Sequence, residues 1–169
     1  MNSPAGVKWK AFLICLIVAT ISSCASPSVV KPTVKDGKQG YFAEPGDFWG
    51  VNFKSGLPTS DDSLSAALSG SRDQEALEND LAILKKMPPE TPLRVVGFTD
   101  SKECSATSCS ELSLRRAQAV HDWLLNHGVS KSRLSAPYGF GSARPVGDNE
   151  TVDGRAQNRR AYISYEDVP

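Results

Sequence analysis

The sequence predicts an α+β domain in which helices pack on one face of a mixed β-sheet. Short β-branched and aromatic segments alternate with segments of helical periodicity, and together they follow the order βαβαββ. Hydrophobic residues make up 40% of the 169 residues and charged residues 22%. This composition supplies enough apolar side chains for a packed core and argues against global disorder.

The first strand and the first helix come from the segment that precedes a pair of prolines. Residues 48–53, FWGVNF, are aromatic and β-branched and predict a strand. A helix follows from Ser71, which predicts a capping box with Gln74, and it ends before Pro88. The residues expected on its core face are Leu77, Leu81 and Leu84.

Three further strands and a second long helix follow. Residues 93–98, LRVVGF, predict a buried strand, and residues 134–140 and 161–165 predict two more. Residues 111–127 predict a helix that Gly128 terminates as a C-terminal cap. The core stripe of this helix consists of Ala117, Val120 and Leu124.

The first 23 residues have the layout of a secretory signal peptide. Lys8 and Lys10 give a positive start, and the apolar run of residues 11–21 leads to small residues before Cys24. A transmembrane helix is the alternative, but crossing a bilayer takes about 20 apolar residues. The tetrapeptide ISSC resembles a bacterial lipobox, which implies cleavage before Cys24 and acyl chains, such as palmitate, on that residue.

Residues 24–45 predict a lipidated cysteine followed by a flexible tether, because they are rich in Pro, Ser, Gly and Lys and lack periodicity. The folded domain is then expected over residues 46–169. In an oxidising, exported compartment, Cys104 and Cys109 are expected to form a disulfide that acts as a local clamp.

Several motifs in the C-terminal half occur in a specific order: VGFTDS, LSLRRAQAV, YGFG, RPV and NETVDGRAQNRRAYI. In this order they resemble the OmpA-like peptidoglycan-binding domain, which is also the folded module of peptidoglycan-associated lipoproteins. The resemblance is strongest over about the last 75 residues. It implies non-catalytic binding of the diaminopimelate residue in the peptidoglycan stem peptide.

The resemblance also implies a binding site for the zwitterionic end of diaminopimelate. Asp100 would accept from its ammonium group, and Arg116 would pair with its carboxylate. Thr99 lies beside Asp100, and the helix N-terminus near Leu112 and Ser113 would add backbone N–H groups. By family analogy, Asn158 and Arg160 would form the pocket wall.

Structural roles for the same residues are the alternative. Asp100 would then cap a turn after a strand, and Arg116 would be a solvated helix residue. The pair Arg159 and Arg160 is ambiguous, since one of them is expected at the surface or sheet edge. The sequence departs from the family at Cys109, which stands where members often carry Asn, so details of the 101–109 loop do not transfer.

Other functional classes are less consistent with the sequence. A peptidoglycan hydrolase would need a histidine beside a nucleophile, but His121 and His127 lie on one predicted helix outside any such motif. The cysteines and histidines do not have zinc-ligand spacing, so we expect no metal and no cofactor. Removal of Lys8 and Lys10 leaves 17 of the 19 basic residues against 19 acidic ones, which argues against nucleic acid as a partner.

A scaffold for periplasmic envelope proteins is the serious alternative function. Tyr41, Phe48 and Trp49 are the residues expected at such a surface. Ala25 follows the lipidated cysteine, and family sorting rules then suggest the outer membrane, with the domain facing the periplasm. The expected partners are therefore peptidoglycan, the lipid bilayer through Cys24 and, in this alternative, envelope proteins.

Overall fold

A four-stranded sheet organises residues 48–165, which are the residues described by this computed structural model. Its strands are β1 (Val51–Asn52), β2 (Leu93–Gly97), β3 (Leu134–Gly139) and β4 (Arg160–Tyr165). They lie in the order β1-β4-β2-β3. Strands β2 and β3 are parallel, whereas β4 is antiparallel to both β1 and β2, so the predicted mixed sheet is confirmed.

Two long helices, α2 (Ser71–Lys86) and α3 (Ala106–Asn126), contribute to the same core as the strands. The predicted stripes of both helices are buried, with Leu84 and Leu124 fully so. They meet strand residues such as Val95, which lies opposite Ile163 in the register of β2 and β4. Alternation along the strands turns Tyr162, and Val96 opposite it on β2, to the other face of the sheet.

Two short helices were not predicted. Helix α1 (Leu64–Ala67) and helix α4 (Val152–Asn158) are four and seven residues long. Ser63 and Thr151 cap them by accepting from backbone N–H groups of the first turn. Both helices are too short for an apolar stripe, which is why hydrophobic periodicity did not reveal them.

The start of α2 is correct, but its predicted cap is wrong. Gly70 is the N-cap residue, and the carboxylate of Asp73 accepts from the backbone N–H of Gly70 at 3.0 Å and of Asn52 at 2.7 Å. The Asp80 carboxylate binds the N–H groups of Trp49 and Gly50 in the same way. Acidic side chains of α2 thus hold β1 in position.

Helix α3 begins earlier than the predicted Glu111, at Ala106. The Ser108 hydroxyl accepts from the backbone N–H of Ser105 at 3.0 Å, and the Ser105 carbonyl accepts from the N–H of Cys109 at 2.7 Å. These hydrogen bonds satisfy backbone groups of the first turn. The turn has no apolar periodicity, so the sequence pattern did not reveal it. Gly128 follows the helix with φ of 89°, as predicted for a C-terminal cap.

The predictions for the signal peptide, Cys24 and the tether fall in residues 1–47, outside the described residues, and stay predictions. Within residues 48–165, no helix combines the length and the apolar composition needed to cross a bilayer.

Helix α3 crosses β2 and β3 at two glycines. A Cβ atom on Gly97 would lie 2.0 Å from the carbonyl oxygen of Ser113, and one on Gly139 would lie 2.4 Å from the backbone nitrogen of Leu114. Real Cβ atoms do not approach backbone atoms this closely. The absence of side chains at these positions therefore sets how near α3 comes to the ends of the strands, where the polar residues lie.

We predict that Gly97→Ser destabilises the fold, because its side chain would push α3 off the sheet. Overpacking of this kind typically costs about 1–3 kcal/mol, and the contact here is with backbone that cannot move aside. Gly70→Ser is the matched control, since a Cβ there meets nothing within 4 Å and serine is a favoured N-cap. Urea unfolding would compare both variants with the wild type, and equal free energies of unfolding for both would contradict the close-approach argument.

Candidate ligand-binding site

The loop that follows β2 begins where the ends of three strands meet. Phe98 donates its backbone N–H to the carbonyl of Arg160 at 2.8 Å, and Thr99 donates to the carbonyl of Gly141 at 2.9 Å. The Asp100 side chain then closes a turn, in which Oδ1 accepts from the N–H groups of Lys102 at 2.7 Å and Glu103 at 2.9 Å. Asp100 therefore has the turn-capping role that the sequence left open as an alternative.

The other oxygen of Asp100 is paired with Arg159. Nη1 of Arg159 donates to Asp100 Oδ2 at 2.9 Å, and Nε donates to the carbonyl of Phe53. Burial raises the pKa of Asp100, but the hydrogen bonds from Arg159, Lys102 and Glu103 and the charge of Arg159 outweigh it, so its pKa lies below the usual range. Asp100 is 1% exposed, and its carboxylate is ionised at neutral pH.

Arg116 lies on the core side of this loop and is fully buried, not a solvated helix residue. Its Nε donates to the carbonyl of Leu57 at 2.9 Å, Nη1 to Phe98 at 2.8 Å and Nη2 to Lys54 at 3.2 Å. Its two remaining donors bind Glu103. A guanidinium has five N–H groups, and here all five have an acceptor.

The partner of Arg116 is Glu103, which the sequence analysis missed. Its two carboxylate oxygens lie 2.6 and 2.8 Å from Nη1 and Nη2 of Arg116, a bidentate pair in which both side chains are fully buried. The same carboxylate accepts from the backbone N–H of Asp100 at 3.0 Å and of Gly56 at 2.8 Å. We call these donors, the guanidinium of Arg116 and the N–H groups of Gly56 and Asp100, the Arg116 site.

The structure thus brings the two predicted charges to one loop without pairing them. Asp100 is bound to Arg159, and Arg116 is bound to Glu103. The Glu103 carboxylate joins the two predicted residues, because it accepts from Arg116 and from the backbone of Asp100. The sequence could have indicated Glu103 only if the burial of Arg116 had been known. A buried arginine requires an acidic partner, and Glu103 is the acid that this loop supplies.

The two consecutive arginines at the start of β4 have different partners. Arg159 is the one that meets Asp100, whereas Arg160 lies with its guanidinium carbon 3.9 Å from the centre of the Phe98 ring. Arg160 also donates to the carbonyl of Arg144 at 3.1 Å, and burial lowers its pKa. Arg160 is therefore part of a stack of aromatic rings that includes Phe98 and Tyr162.

Thr99 and Ser113 lie buried beside the loop, as expected of residues near the site. The Thr99 hydroxyl has no hydrogen-bond partner within the described residues. The Ser113 hydroxyl accepts from the N–H of Gly141 at 2.8 Å and donates to the carbonyl of Ser110. Because α3 begins at Ala106, the N–H groups of Leu112 and Ser113 lie inside the helix, and the expectation that they are free for a ligand does not hold.

Asn158 is fully buried at the end of α4 and holds the preceding loop in place. Its Oδ1 accepts from the N–H groups of Val146 and Gly147 at 2.7 and 2.9 Å, and its Nδ2 donates to the Gly147 carbonyl and to Asn149. Asn149 in turn accepts from the N–H of Ser101 at 3.1 Å. Asn158 therefore positions the loop that contacts the Asp100 turn.

A disulfide between Cys104 and Cys109 ties the same loop to the first turn of α3, as predicted. The two Cα atoms are 5.1 Å apart. Because Glu103 directly precedes Cys104, this bridge restricts the movement of the residue that occupies the Arg116 site.

The helices and the mixed sheet form an α+β domain, and the loop after β2 places buried charges at the ends of the strands. The chain belongs to the OmpA family, whose family model matches residues 63–159. The predicted resemblance is thereby confirmed.

Among its relatives is outer membrane porin F of Pseudomonas aeruginosa, which is 46% identical over 87 residues, 51% of this chain and 24% of the porin. The peptidoglycan-binding protein ArfA of Mycobacterium tuberculosis is 36% identical over 91 residues, 54% of this chain and 27% of ArfA. This chain therefore spans about a quarter of the length of these relatives.

The crystal structure of the peptidoglycan-associated lipoprotein from Burkholderia pseudomallei has the same fold. It aligns with a TM-score of 0.54 at 26% identity and covers 69% of this chain and 89% of that one. The α+β fold is thus shared with a solved member of this group, although α4 interrupts the predicted βαβαββ order between β3 and β4.

The lowered pKa of Asp100 predicts how acid affects the wild type and the Asp100→Asn variant. Since the folded-state pKa lies below the unfolded value of about 3.9, ionised Asp100 stabilises the fold above that pH, and this stabilisation is lost as pH falls through the folded value. We expect the Tm of the wild type to fall more steeply below pH 4 than that of Asp100→Asn. Asp148→Asn, which changes an exposed turn-forming aspartate, keeps the Asp100–Arg159 pair and should retain the steep fall.

Parallel Tm profiles for the wild type and Asp100→Asn between pH 7 and pH 2 would show that protonation of Asp100 does not change the stability of the fold.

Proposed function

We propose that this chain binds peptidoglycan without cutting it and holds the cell wall to the outer membrane through a lipid on Cys24. Its membership of the OmpA family supports this function. So do the names of its relatives, which include a peptidoglycan-binding protein and a peptidoglycan-associated lipoprotein. The ligand we propose is the diaminopimelate residue of the stem peptide.

One observation carries the proposal: the loop after β2 brings an acidic side chain, Asp100, next to a carboxylate-binding group, the Arg116 site. The Asp100 carboxylate is an acceptor suited to the ligand's ammonium group. The Arg116 site, which includes the backbone N–H of Asp100, already binds a carboxylate in bidentate geometry. A zwitterionic amino-acid end carries an ammonium and a carboxylate, which are complementary in charge to Asp100 and to the Arg116 site.

Binding requires the loop to open. Asp100 is 1% exposed and Arg116 is fully buried, and each already has a partner of opposite charge. The ligand's carboxylate would replace Glu103 at Arg116, and its ammonium would share Asp100 with Arg159. The unpartnered hydroxyl of Thr99 would add a hydrogen bond at the same place.

The remaining proposed residues would hold the site in shape and would not contact the charged groups of the ligand. Asn158 fixes the loop that meets Ser101, and Ser113 fixes the backbone of Gly141. Leu112 is buried, and Arg160 stacks on the ring of Phe98. Their contribution is rigidity, which lowers the entropy lost when a ligand binds.

The contacts of the two histidines support binding over catalysis. His121 Nδ1 lies 3.1 Å from Asp122 Oδ1, and His127 Nδ1 lies 2.7 Å from the carbonyl of Trp123. Both follow the middle of α3, away from the loop that carries Asp100. A general base would have to lie within hydrogen-bond reach of a nucleophile or water at the ligand.

A scaffold for envelope proteins is the second candidate function. Trp49 is 69% exposed, and with Phe48, Tyr162 and Tyr165 it lines a groove of about 370 Å³ at the β4 side of the sheet. Exposed tryptophan is enriched at the centre of protein interfaces. Capture of envelope proteins by the purified chain, abolished by Trp49→Ala while wall binding persists, would favour this function.

Sedimentation with purified sacculi tests the wall-binding proposal. The full chain should co-sediment, and Asp100→Asn should bind at least about 30-fold more weakly, because loss of one charge in a desolvated pair costs about 2–5 kcal/mol. Asp148→Asn makes the same chemical change in an exposed turn and should bind like the wild type. Arg116→Ala is a poorer choice, since it removes five buried hydrogen bonds and would unfold the loop.

Wild-type protein that stays in the supernatant would contradict wall binding. Equal sedimentation of the wild type and folded Asp100→Asn would leave wall binding intact but place it outside this loop.

A further inference from the structure

The Arg116 site is fully occupied by a residue of the chain itself. Glu103 accepts from both terminal nitrogens of Arg116 and from the N–H groups of Gly56 and Asp100, so four donors converge on one carboxylate. A planar fork opposite a carboxylate, completed by backbone N–H groups, is the arrangement with which proteins bind free carboxylate ligands.

We propose that Glu103 is an internal ligand that determines the specificity of this site. Its carboxylate fills the position that the carboxylate of an amino-acid ligand would take, so an external ligand binds only by displacing it. This inference rests on the proposed function for the identity of the external ligand, but not for the occupancy of the Arg116 site.

The hydrogen bonds of Arg116 carry the first step of the argument. Its other three N–H groups donate to the carbonyls of Lys54, Leu57 and Phe98, and none is left to donate to a second carboxylate. An external carboxylate and Glu103 therefore compete for the same donors. The competition is direct, because both would need Nη1 and Nη2.

The connection of Glu103 to the fold carries the second step. The Asp100 side chain accepts from the Glu103 N–H, and the disulfide of Cys104 ties the next residue to α3. A tethered competitor acts at an effective concentration of millimolar or above, as for short linkers generally. The apparent affinity for an external ligand is the intrinsic affinity multiplied by the fraction of molecules in which Glu103 has left the site.

The charge balance is the third step. With Glu103 at Arg116 and Asp100 at Arg159, each buried charge on the loop has its counter-ion within the chain. A ligand carboxylate that displaced Glu103 would restore the counter-ion of Arg116, whereas a simple cation or a neutral sugar would leave the guanidinium unpaired. The site therefore discriminates in favour of ligands that bring a carboxylate of their own.

Chemical rescue of Glu103→Ala tests the proposal with the full chain. The truncation leaves a cavity lined by the donors of Arg116, Gly56 and Asp100. Acetate would fill it because its carboxylate restores the lost acceptor. We expect acetate to raise the Tm of Glu103→Ala in a saturable manner and to leave the wild type unchanged, with sodium chloride at equal ionic strength as the salt control. Glu150→Ala removes an exposed glutamate that pairs with Lys102 and should not respond to acetate.

Free meso-diaminopimelate is the second probe. By calorimetry it should bind Glu103→Ala at least about tenfold more tightly than the wild type, because the internal competitor is gone. If Glu103→Ala is unfolded in buffer, it should regain its circular dichroism spectrum when refolded in acetate. Absence of any acetate effect on stability or refolding would overturn the proposal.

The two proposals fail in different ways. The acetate experiment contains no peptidoglycan, so its failure would refute the role of Glu103 without affecting sacculus binding. A positive acetate result with no difference in diaminopimelate affinity would refute Glu103 as a competitor of that ligand, and failure of wild-type sedimentation would refute wall binding alone.

Discussion

The buried guanidinium of Arg116 is the constraint on which the loop and the site depend. An arginine without access to water is stable only when every N–H group has an acceptor and the charge has a partner. Here the acceptors come from separate parts of the chain: the segment after β1, the end of β2 and the loop that carries Glu103. Satisfying one side chain therefore fixes the mutual positions of these segments.

The same constraint determines the chemistry of the site. A loop arranged to satisfy Arg116 presents a carboxylate-binding group on one side and the Asp100–Arg159 pair on the other. Glycines at the strand ends let α3 approach closely enough to deliver Arg116 there. The fold of the OmpA family thus supplies the position, and the residues of this chain's own loop, Glu103 above all, decide what the position accepts.

Apolar periodicity predicted the sheet and both long helices, because burial of Leu77, Leu81 and Leu84 and of the α3 stripe leaves a repeating signal in the sequence. The nearness of Asp100 and Arg116 came from the family resemblance. The sequence could not reveal partners that depend on long-range geometry, such as Arg159 for Asp100. It also could not reveal the conformation of the 101–109 loop, because this loop departs from the family pattern at Cys109. The early start of α3 at Ala106 escaped for a similar reason, since a cap of serines has no period.

A double-mutant cycle between Arg116 and Glu103 tests the central claim most directly. Urea unfolding of Arg116→Met, Glu103→Gln and the double variant should give a coupling free energy in the upper part of the range of about 0.5–3 kcal/mol, since each single change leaves a buried charge unpaired and the double change does not. The exposed Lys102–Glu150 pair serves as the reference cycle, with an expected coupling below about 1 kcal/mol. Free energies for Arg116 and Glu103 that add within about 0.5 kcal/mol would contradict the account, because the loop would then not depend on this pair.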